Sequence, residues 1–207
     1  SATEDEFYDF VGVSKDEIDE LKQMLPGGIQ IQFDFAVMLH KIFYQLRKEQ
    51  NIDYCPVVIL YCKMIEGLLK EKHFEIYVRK LSRGDFPKVR LGNREFAWNY
   101  FVDRNGNIDR KKIRQNRKKL TLGSFSFLLG KISDINDFDS NIIINENVIE
   151  ALATPVGADY PNSKDLQLWK KHAQLLPWIR EYRNRSAHEL IPISSTDMDN
   201  ICKIIFG

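Results

Sequence analysis

The chain has 207 residues, of which 43% are hydrophobic and 29% are charged, and its formal net charge is +1. This composition is typical of a water-soluble globular protein, and the length suffices for one sizeable core, so we expect a single domain over residues 1–207. No apolar run approaches the roughly 20 residues that a membrane-spanning helix needs, which argues against a membrane partner.

The three cysteines, Cys55, Cys62 and Cys202, show neither a CxxC pattern nor a Cys/His spacing that could bind a metal. An odd number of such cysteines is typical of a reducing compartment rather than of a disulfide-bonded secreted protein. The first residues also lack the basic and then apolar pattern of a secretory signal. We therefore expect a cytoplasmic protein without a metal or other cofactor.

Residues 1–27 form an acidic N-terminal arm with one short predicted helix. Ser14 and Glu17 have the Ser-x-x-Glu spacing of a capping box, in which each side chain binds the other residue's backbone NH. Apolar residues then follow at helical spacing until Pro26-Gly27-Gly28, where we expect the helix to end.

Two longer helices are predicted next, one from about Asp34 to Glu49 and one from Tyr54 to Leu81. Each has apolar residues at steps of three and four positions, which is the pattern of a helix with one buried face. Pro56 is compatible with the first turn of the second helix. Backbone NH groups in a first turn have no helical acceptor, so a proline there loses no hydrogen bond. Glu66 lies at the edge of the apolar stripe of this helix.

Residues 83–119 interrupt the helical pattern. Apolar residues alternate at positions 96, 98, 100 and 102 and precede Asn105-Gly106, which predicts a small β-hairpin with an Asn-Gly turn. Asp103, Asn105 and Asn107 have the spacing that opens a calcium loop, but the glycine falls too early and the final glutamate is missing. We do not predict a calcium site.

Basic residues are concentrated in the middle of the chain. Residues 79–119 hold fourteen Lys and Arg against four acidic residues, a net charge of +10, whereas the rest of the chain carries −9. A concentrated positive charge with aromatic residues nearby favours binding of single-stranded nucleic acid, although such a run is often only a solvated face. The candidate RNA-binding residues are Arg110, Lys111, Lys112, Arg114, Arg117, Lys118 and Lys119.

Four further elements complete the chain. We expect a helix over residues 121–132 and a long acidic connection over 133–163. A long helix then begins near Ser163, with a kink at Pro177 and a limit at Pro192. Ser195 and Thr196 can cap a last helix that runs to about Ile204.

The long helix places a charge in its apolar stripe. The stripe consists of Trp169, Ala173, Leu176, Ile179, Ala187 and Leu190. Arg183 occupies the next position of this stripe, where an unpaired guanidinium costs several kcal/mol unless the stripe opens into a polar site. Asn184 and His188 are one turn apart and share a helix face. Arg183, Asn184 and His188 therefore bring a permanent cation, an amide and an imidazole to one end of one helix.

This spacing resembles the Arg-x4-6-His signature of HEPN domains, over roughly residues 30–207. The resemblance implies an all-α antiparallel helical bundle, from which the hairpin and basic insertion depart. It also implies a metal-independent RNA endonuclease of the toxin or phage-defence kind, with an antitoxin or regulatory partner. Nucleases of this family bring two motifs together across the two-fold axis of a homodimer.

The residue types suit RNA cleavage without a metal. A histidine can take the proton of a 2′-hydroxyl, and an arginine can bind the oxygens of the phosphate that is attacked. Asn184 could hold the imidazole or the phosphate, with Glu66, Arg185 and Tyr182 as possible support. Positions five apart point roughly 140° apart on a helix, so we expect one chain alone not to close the site and predict a composite site in a homodimer.

Less specific interpretations stay open. Arg183 could pair with Glu66, Glu181 or Glu189 near the end of its helix, and His188 could cap that helix. The chain would then be a non-catalytic HEPN-like module that binds nucleic acid or protein, or an unrelated helical protein. We interpret the remaining histidines, His40, His73 and His172, as structural.

Overall fold

The computed structural model describes residues 2–48, 50–72, 105, 109–117, 122, 179–189 and 191–207. Most of these residues are helical, and none of them lies in a β-strand, so the all-α prediction is confirmed for this part of the chain. The predicted hairpin lies outside it except for Asn105, which is in a turn, and the predicted 121–132 helix lies outside it except for Leu122, which is helical. The 133–163 connection, the long helix before residue 179, His73, His172, Lys118 and Lys119 lie outside it entirely.

The described helices are, in chain order, α1 (Ala2–Val11), α2 (Lys15–Gln23), α3 (Gly27–Leu46), α4 (Cys55–Lys72), α5 (Arg110–Arg117), α6 (residues 179–188) and α7 (Ser195–Phe206). They belong to two compact units. The first contains the described residues of 2–68 and 179–207, and the second contains 69–72, 105, 109–117 and 122. The prediction of a single domain stays a prediction.

Capping boxes begin two of these helices. Ser14 Oγ accepts a hydrogen bond from the backbone N of Glu17 at 3.1 Å, and Glu17 Oε2 accepts one from the backbone N of Ser14 at 2.7 Å, as predicted. Ser194 and Asp197 form the equivalent pair at the start of α7. The last helix therefore begins where it was expected, although its capping residue is Ser194 rather than Ser195 or Thr196.

Two boundaries in the N-terminal region differ from the prediction. Residues 1–27 contain α1 as well as the predicted α2, and α3 begins at Gly27 rather than near Asp34. Pro26 occupies the N-cap position of α3 with a φ of −58°, and the two glycines after it lie in the first turn. Burial of Ile29 and Phe33 favours helix in this stretch, and tertiary packing of this kind outweighs the low helix propensity of glycine.

Helix α4 lies at the centre of the first unit. Its buried side chains within that unit are Val57, Val58, Tyr61, Cys62, Met64, Ile65 and Leu68. Helix α3 approaches closely at Gly67, where an added Cβ would lie only 2.7 Å from Cδ1 of Ile29. Helix α7 packs through Phe206, whose ring lies 5.7 Å from that of Tyr61. The absence of a side chain at Gly67 therefore permits the contact between α3 and α4.

A buried hydrogen bond joins α3 to α4 within an aromatic cluster. His40 is 0% exposed, and its Nδ1 lies 2.9 Å from the hydroxyl of Tyr61. The rings of Phe7 and Phe10 on α1 contact the imidazole edge-on. Burial lowers the pKa of His40 to about 3, because a charged imidazole would lose its hydration there. The structural interpretation of His40 agrees with this position.

The buried His40 should make the folded state sensitive to acid. Its pKa is 6.5 when exposed and about 3 in the folded chain, so the unfolded chain binds a proton that the folded chain excludes. His40 should not reduce the free energy of unfolding above pH 6.5. Below that pH the free energy of unfolding should fall towards pH 3, by at most about 1.4 kcal/mol per pH unit from this group. Denaturant unfolding of the wild type and of His40→Phe between pH 6.5 and 5 measures this, since carboxylates add little there. Equal slopes in the two proteins would contradict it.

Candidate active site

Helix α6 enters the core at Ile179 and lies against α4. Ile179 is buried, and its carbonyl oxygen lies 3.9 Å from Sγ of Cys62. Burial raises the pKa of the Cys62 thiol to about 12, while the charge of Arg183 acts to lower it and the charge of Glu66 to raise it. Arg183 and Glu66 therefore both lie near Cys62, at the surface where α6 meets α4.

The candidate catalytic side chains come together within one chain. Nη1 of Arg183 lies 3.0 Å from Nε2 of His188 and 3.4 Å from Oδ1 of Asn184. The five-residue interval corresponds to about 7.5 Å along the helix axis, and the long arginine side chain spans it despite the angular offset. Whether a second chain completes the site stays a prediction.

The contact also determines the tautomer of the imidazole. A guanidinium has donors only, so Nε2 of His188 must accept the hydrogen bond from Nη1 of Arg183. A ring that accepts at Nε2 while neutral carries its proton on Nδ1. The ring nitrogen that would act as a general base therefore faces the cation.

Exposure increases towards the end of α6. Tyr182, Arg183 and Ser186 are half-buried, whereas Ala187 and His188 are exposed. Ala187, which we expect to be buried against a second copy, is exposed in the single chain because the helix leaves the core after its Ile179 turn. Leu190 lies outside the described residues. An arginine held at the edge of the core and a histidine in solvent are both accessible to a ligand.

Arg185 and Tyr182 belong to a different group of contacts, which includes the start of α7. Nη2 of Arg185 lies 3.3 Å from Oδ2 of Asp197, Nη1 lies 3.5 Å from Oδ1, and the guanidinium lies 5.8 Å from the centre of the Tyr182 ring. Burial raises the pKa of Tyr182, and the charge of Asp197 adds to this effect. These two possible support residues therefore hold α6 against α7 and do not join the Arg183–His188 pair.

Asp197 was missed as a residue that positions the site. Burial alone would raise its pKa, but hydrogen bonds from the backbone and side chain of Ser194 and from Arg185 outweigh this and lower it. The signal was available, because Ser194 and Asp197 have the spacing of a capping box. Its link to Arg185 depends on how α6 and α7 pack, which no local pattern reveals.

The predicted RNA-binding residues begin on a helix of the second unit. Oδ1 of Asp109 accepts hydrogen bonds from the backbone N of Lys111 at 2.9 Å and of Lys112 at 3.0 Å, which caps α5. Arg110, Lys111 and Arg114 are exposed. Arg117 ends the helix. This part of the basic run thus presents several cations to solvent.

Two kinds of feature are absent from the described residues. No group of three or more His, Cys, Asp and Glu side chains among them could hold a metal ion. None of the helices that the structure describes is both long enough and apolar enough to cross a membrane.

Comparison of the chain with protein-family models, with curated proteins and with solved structures finds no match. The likeness to HEPN domains therefore depends on the motif residues and on the helical character of the described part of the chain.

Proposed function

We propose that this protein is a metal-independent RNA endonuclease with a HEPN-like helical bundle, in which Arg183 and His188 carry out cleavage. The observation that supports this most directly is the 3.0 Å contact between Nη1 of Arg183 and Nε2 of His188 at an exposed helix end. The pair combines a permanent cation with a proton acceptor at a position open to a polyanion.

The proposed reaction begins when RNA enters the site. Phosphate oxygens take the donors of the Arg183 guanidinium, which releases Nε2 of His188. Nε2 then removes the proton of a 2′-hydroxyl, and the 2′-oxygen attacks the adjacent phosphorus while the bond to the 5′-oxygen breaks. The products are a 2′,3′-cyclic phosphate and a 5′-hydroxyl, whose oxygen receives a proton from an acid. Arg183 stabilises the negative charge that develops on the phosphorane.

The need for this acid favours a composite site in a homodimer. One imidazole cannot donate a proton to the leaving oxygen while it accepts one from the 2′-hydroxyl, so the two transfers are best divided between two groups. His188 of a second copy could supply the acid if the ends of two α6 helices met at a two-fold axis. The exposed Ala187 provides a small apolar surface beside the pair for such a contact.

The exposed cations of α5 are proposed to bind the RNA backbone. Arg110, Lys111 and Arg114 can each neutralise a phosphate, and the remaining basic residues of the run extend this charge along the sequence. The resemblance to HEPN toxins further suggests a cytoplasmic role in toxicity or phage defence, restrained by an antitoxin or regulatory partner.

One observation favours a different function, that of a non-catalytic HEPN-like binding module. The guanidinium of Arg183 occupies Nε2 of His188, so the pair could serve as a stable polar contact that is never released. A binding module would need only an intact surface. Cleavage assays separate the two functions.

Substitution of either member of the pair should abolish cleavage without unfolding the chain. Arg183→Ala or His188→Ala should lower the rate on single-stranded RNA by about 10²–10⁴-fold, the usual contribution of a general base. Cleavage by the wild type should persist in excess EDTA and should leave 2′,3′-cyclic phosphate ends, which mass spectrometry of the products detects. Arg180→Ala is the matched control, because Arg180 is an exposed arginine on the same helix.

Three results would count against this mechanism. Loss of activity in EDTA with recovery in Mg²⁺ would exclude a metal-independent reaction, and 3′-hydroxyl products would exclude attack by the 2′-oxygen. RNA binding without cleavage of any substrate would favour the binding module.

Neutralising the basic run should weaken RNA binding and its dependence on salt. Each phosphate contact of a single strand contributes about 0.7 to the slope of log K against log salt concentration, so removal of several cations should flatten it. The variant replaces Arg110, Lys111, Lys112, Arg114, Arg117, Lys118 and Lys119 with Gln. A control variant replaces exposed lysines of the first unit with Gln, namely Lys15, Lys63 and Lys203. If fluorescence anisotropy titrations give the same slope for wild type and variant, the run is only a solvated surface.

Mixing two inactive variants tests the composite site. If Arg183 and His188 of different chains act together, a mixture of Arg183→Ala and His188→Ala chains should regain part of the wild-type cleavage rate. A mixed dimer keeps Arg183 of one chain and His188 of the other as cation and base, and water then replaces the missing imidazole as the acid. Neither variant alone should recover. A charged substitution at the exposed Ala187 should abolish this recovery and produce monomers. A monomer that cleaves at the full wild-type rate would show that a single chain holds the complete site.

A further inference from the structure

Helix α3 has a second apolar face that no described element covers. Its exposed large hydrophobic residues are Ile31, Phe35, Met38, Ile42 and Leu46, here called the α3 stripe, and Ile31 is 72% exposed. The opposite face of the helix holds the buried Phe33 and His40. A helix with one face in the core normally presents polar residues to water, so α3 has the pattern of a helix that packs on both sides.

The spacing of the α3 stripe indicates another helix as its partner. Ile31, Phe35, Met38 and Ile42 are separated by alternating steps of four and three residues, which is the seam of a two-stranded coiled coil. From Ile31 to Leu46 the stripe extends over about 22 Å of helix. A continuous seam of this length can pack side by side against one further helix.

We propose that the α3 stripe packs against the α3 stripe of a second copy of this chain, with the two helices antiparallel. In such a pair, Ile31 lies across from Ile42 of the second copy, and Phe35 lies across from Met38 of the second copy. A two-fold axis relates the contacts, so each layer occurs twice. This interface uses none of the residues of the proposed RNA-cleaving site and does not rest on that function.

Charge complementarity supports a second copy of the chain as the partner and an antiparallel arrangement of the two α3 helices. Asp34 and Lys41 lie one heptad apart on the same edge of the stripe. When two copies pair antiparallel in the register above, Asp34 of each meets Lys41 of the other, which forms two opposite-charge contacts. A register shifted by one heptad would place Lys41 against Lys41. A parallel pair would place Asp34 opposite Leu39.

Both charges are available for this pairing. Asp34 binds Nζ of Lys22 through Oδ2 at 2.7 Å, but its side chain is 55% exposed and its carboxylate can accept further hydrogen bonds. Lys41 donates to Tyr8 at 2.7 Å and to Glu4 at 3.3 Å, so its ammonium is held against α1, and its side chain is still 28% exposed. Helices α1 and α2 thus hold the two charges at the edge where the second copy would reach them.

Sedimentation velocity of the full chain over about 1–100 μM tests whether the copies associate through this face. The wild type should form dimers, and Phe35→Glu should raise the dissociation constant at least about tenfold, because each dimer would then bury two carboxylates in the seam. Ile191→Glu is the matched control, because Ile191 is also a large hydrophobic residue that is 50% exposed but does not lie on α3. A wild-type monomer at 100 μM, or a dimer unaffected by Phe35→Glu, would overturn the proposal.

Disulfide formation tests the direction of the two helices. In a Cys55→Ser background, chains with Ile31→Cys and chains with Ile42→Cys should cross-link to each other under mild oxidation, but neither should cross-link to itself. Cross-linking of each variant with itself would show a parallel pair, and no cross-link in any mixture would exclude this register. Both results would overturn the proposal.

Thermal unfolding distinguishes two possible partners of the α3 stripe, a second copy of the chain and a segment of the same chain. If a segment outside the described residues covers the α3 stripe, Phe35→Glu should lower the unfolding temperature of a chain that is already monomeric. That result would also overturn the proposal. The RNA cleavage assay remains independent, because a failure of the α3 interface leaves Arg183 and His188 unchanged.

Discussion

The burial of α4 is the constraint on which the first unit depends. Residues on more than one side of this helix are buried, from Val57 to Leu68, so it needs partners around much of its circumference. Helix α3 supplies one through the close approach of Ile29 to Gly67, and α7 supplies another through Phe206. The hydrogen bond between His40 and Tyr61 places a polar pair inside this core, which favours one register of α3 on α4 because a shift would leave both groups without a partner.

The candidate active site lies where this packing ends. Helix α6 contacts α4 at Ile179 and reaches solvent at His188, so Arg183 lies between core and water. Asp197 holds the neighbouring Arg185 and caps α7 with the same carboxylate, which relates the direction of α6 to the start of the last helix. Two arginines two positions apart thus differ in role: Arg185 stabilises the packing of α6, and Arg183 faces the imidazole.

The same architecture explains why α3 carries two apolar faces. Its inner face completes the core around α4, while α1 and α2 contact its edge through Lys41 and Asp34. The outer face then remains available for a second chain. In the proposed nuclease, association of copies would matter for chemistry as well as for stability, since cleavage needs a base and an acid and one described motif contains a single imidazole. The α3 pairing and the motif pairing are separate proposals that sedimentation distinguishes.

Local interactions could be predicted from the sequence because they involve residues three or four positions apart. The Ser14–Glu17 capping box, the tolerance of Pro56 in the first turn of α4 and the all-α character of the described residues belong to this group. The convergence of Arg183, Asn184 and His188 at one end of the helix was also predicted, and the long arginine side chain reaches the imidazole of the same chain across the angular offset. Only the tertiary structure decided that α3 begins at Gly27, that Ala187 is exposed, that Arg185 binds Asp197 and that one apolar face of α3 stays uncovered. Each of these depends on which helices meet, and the periodicity of one helix does not tell which other helices of the chain pack against it.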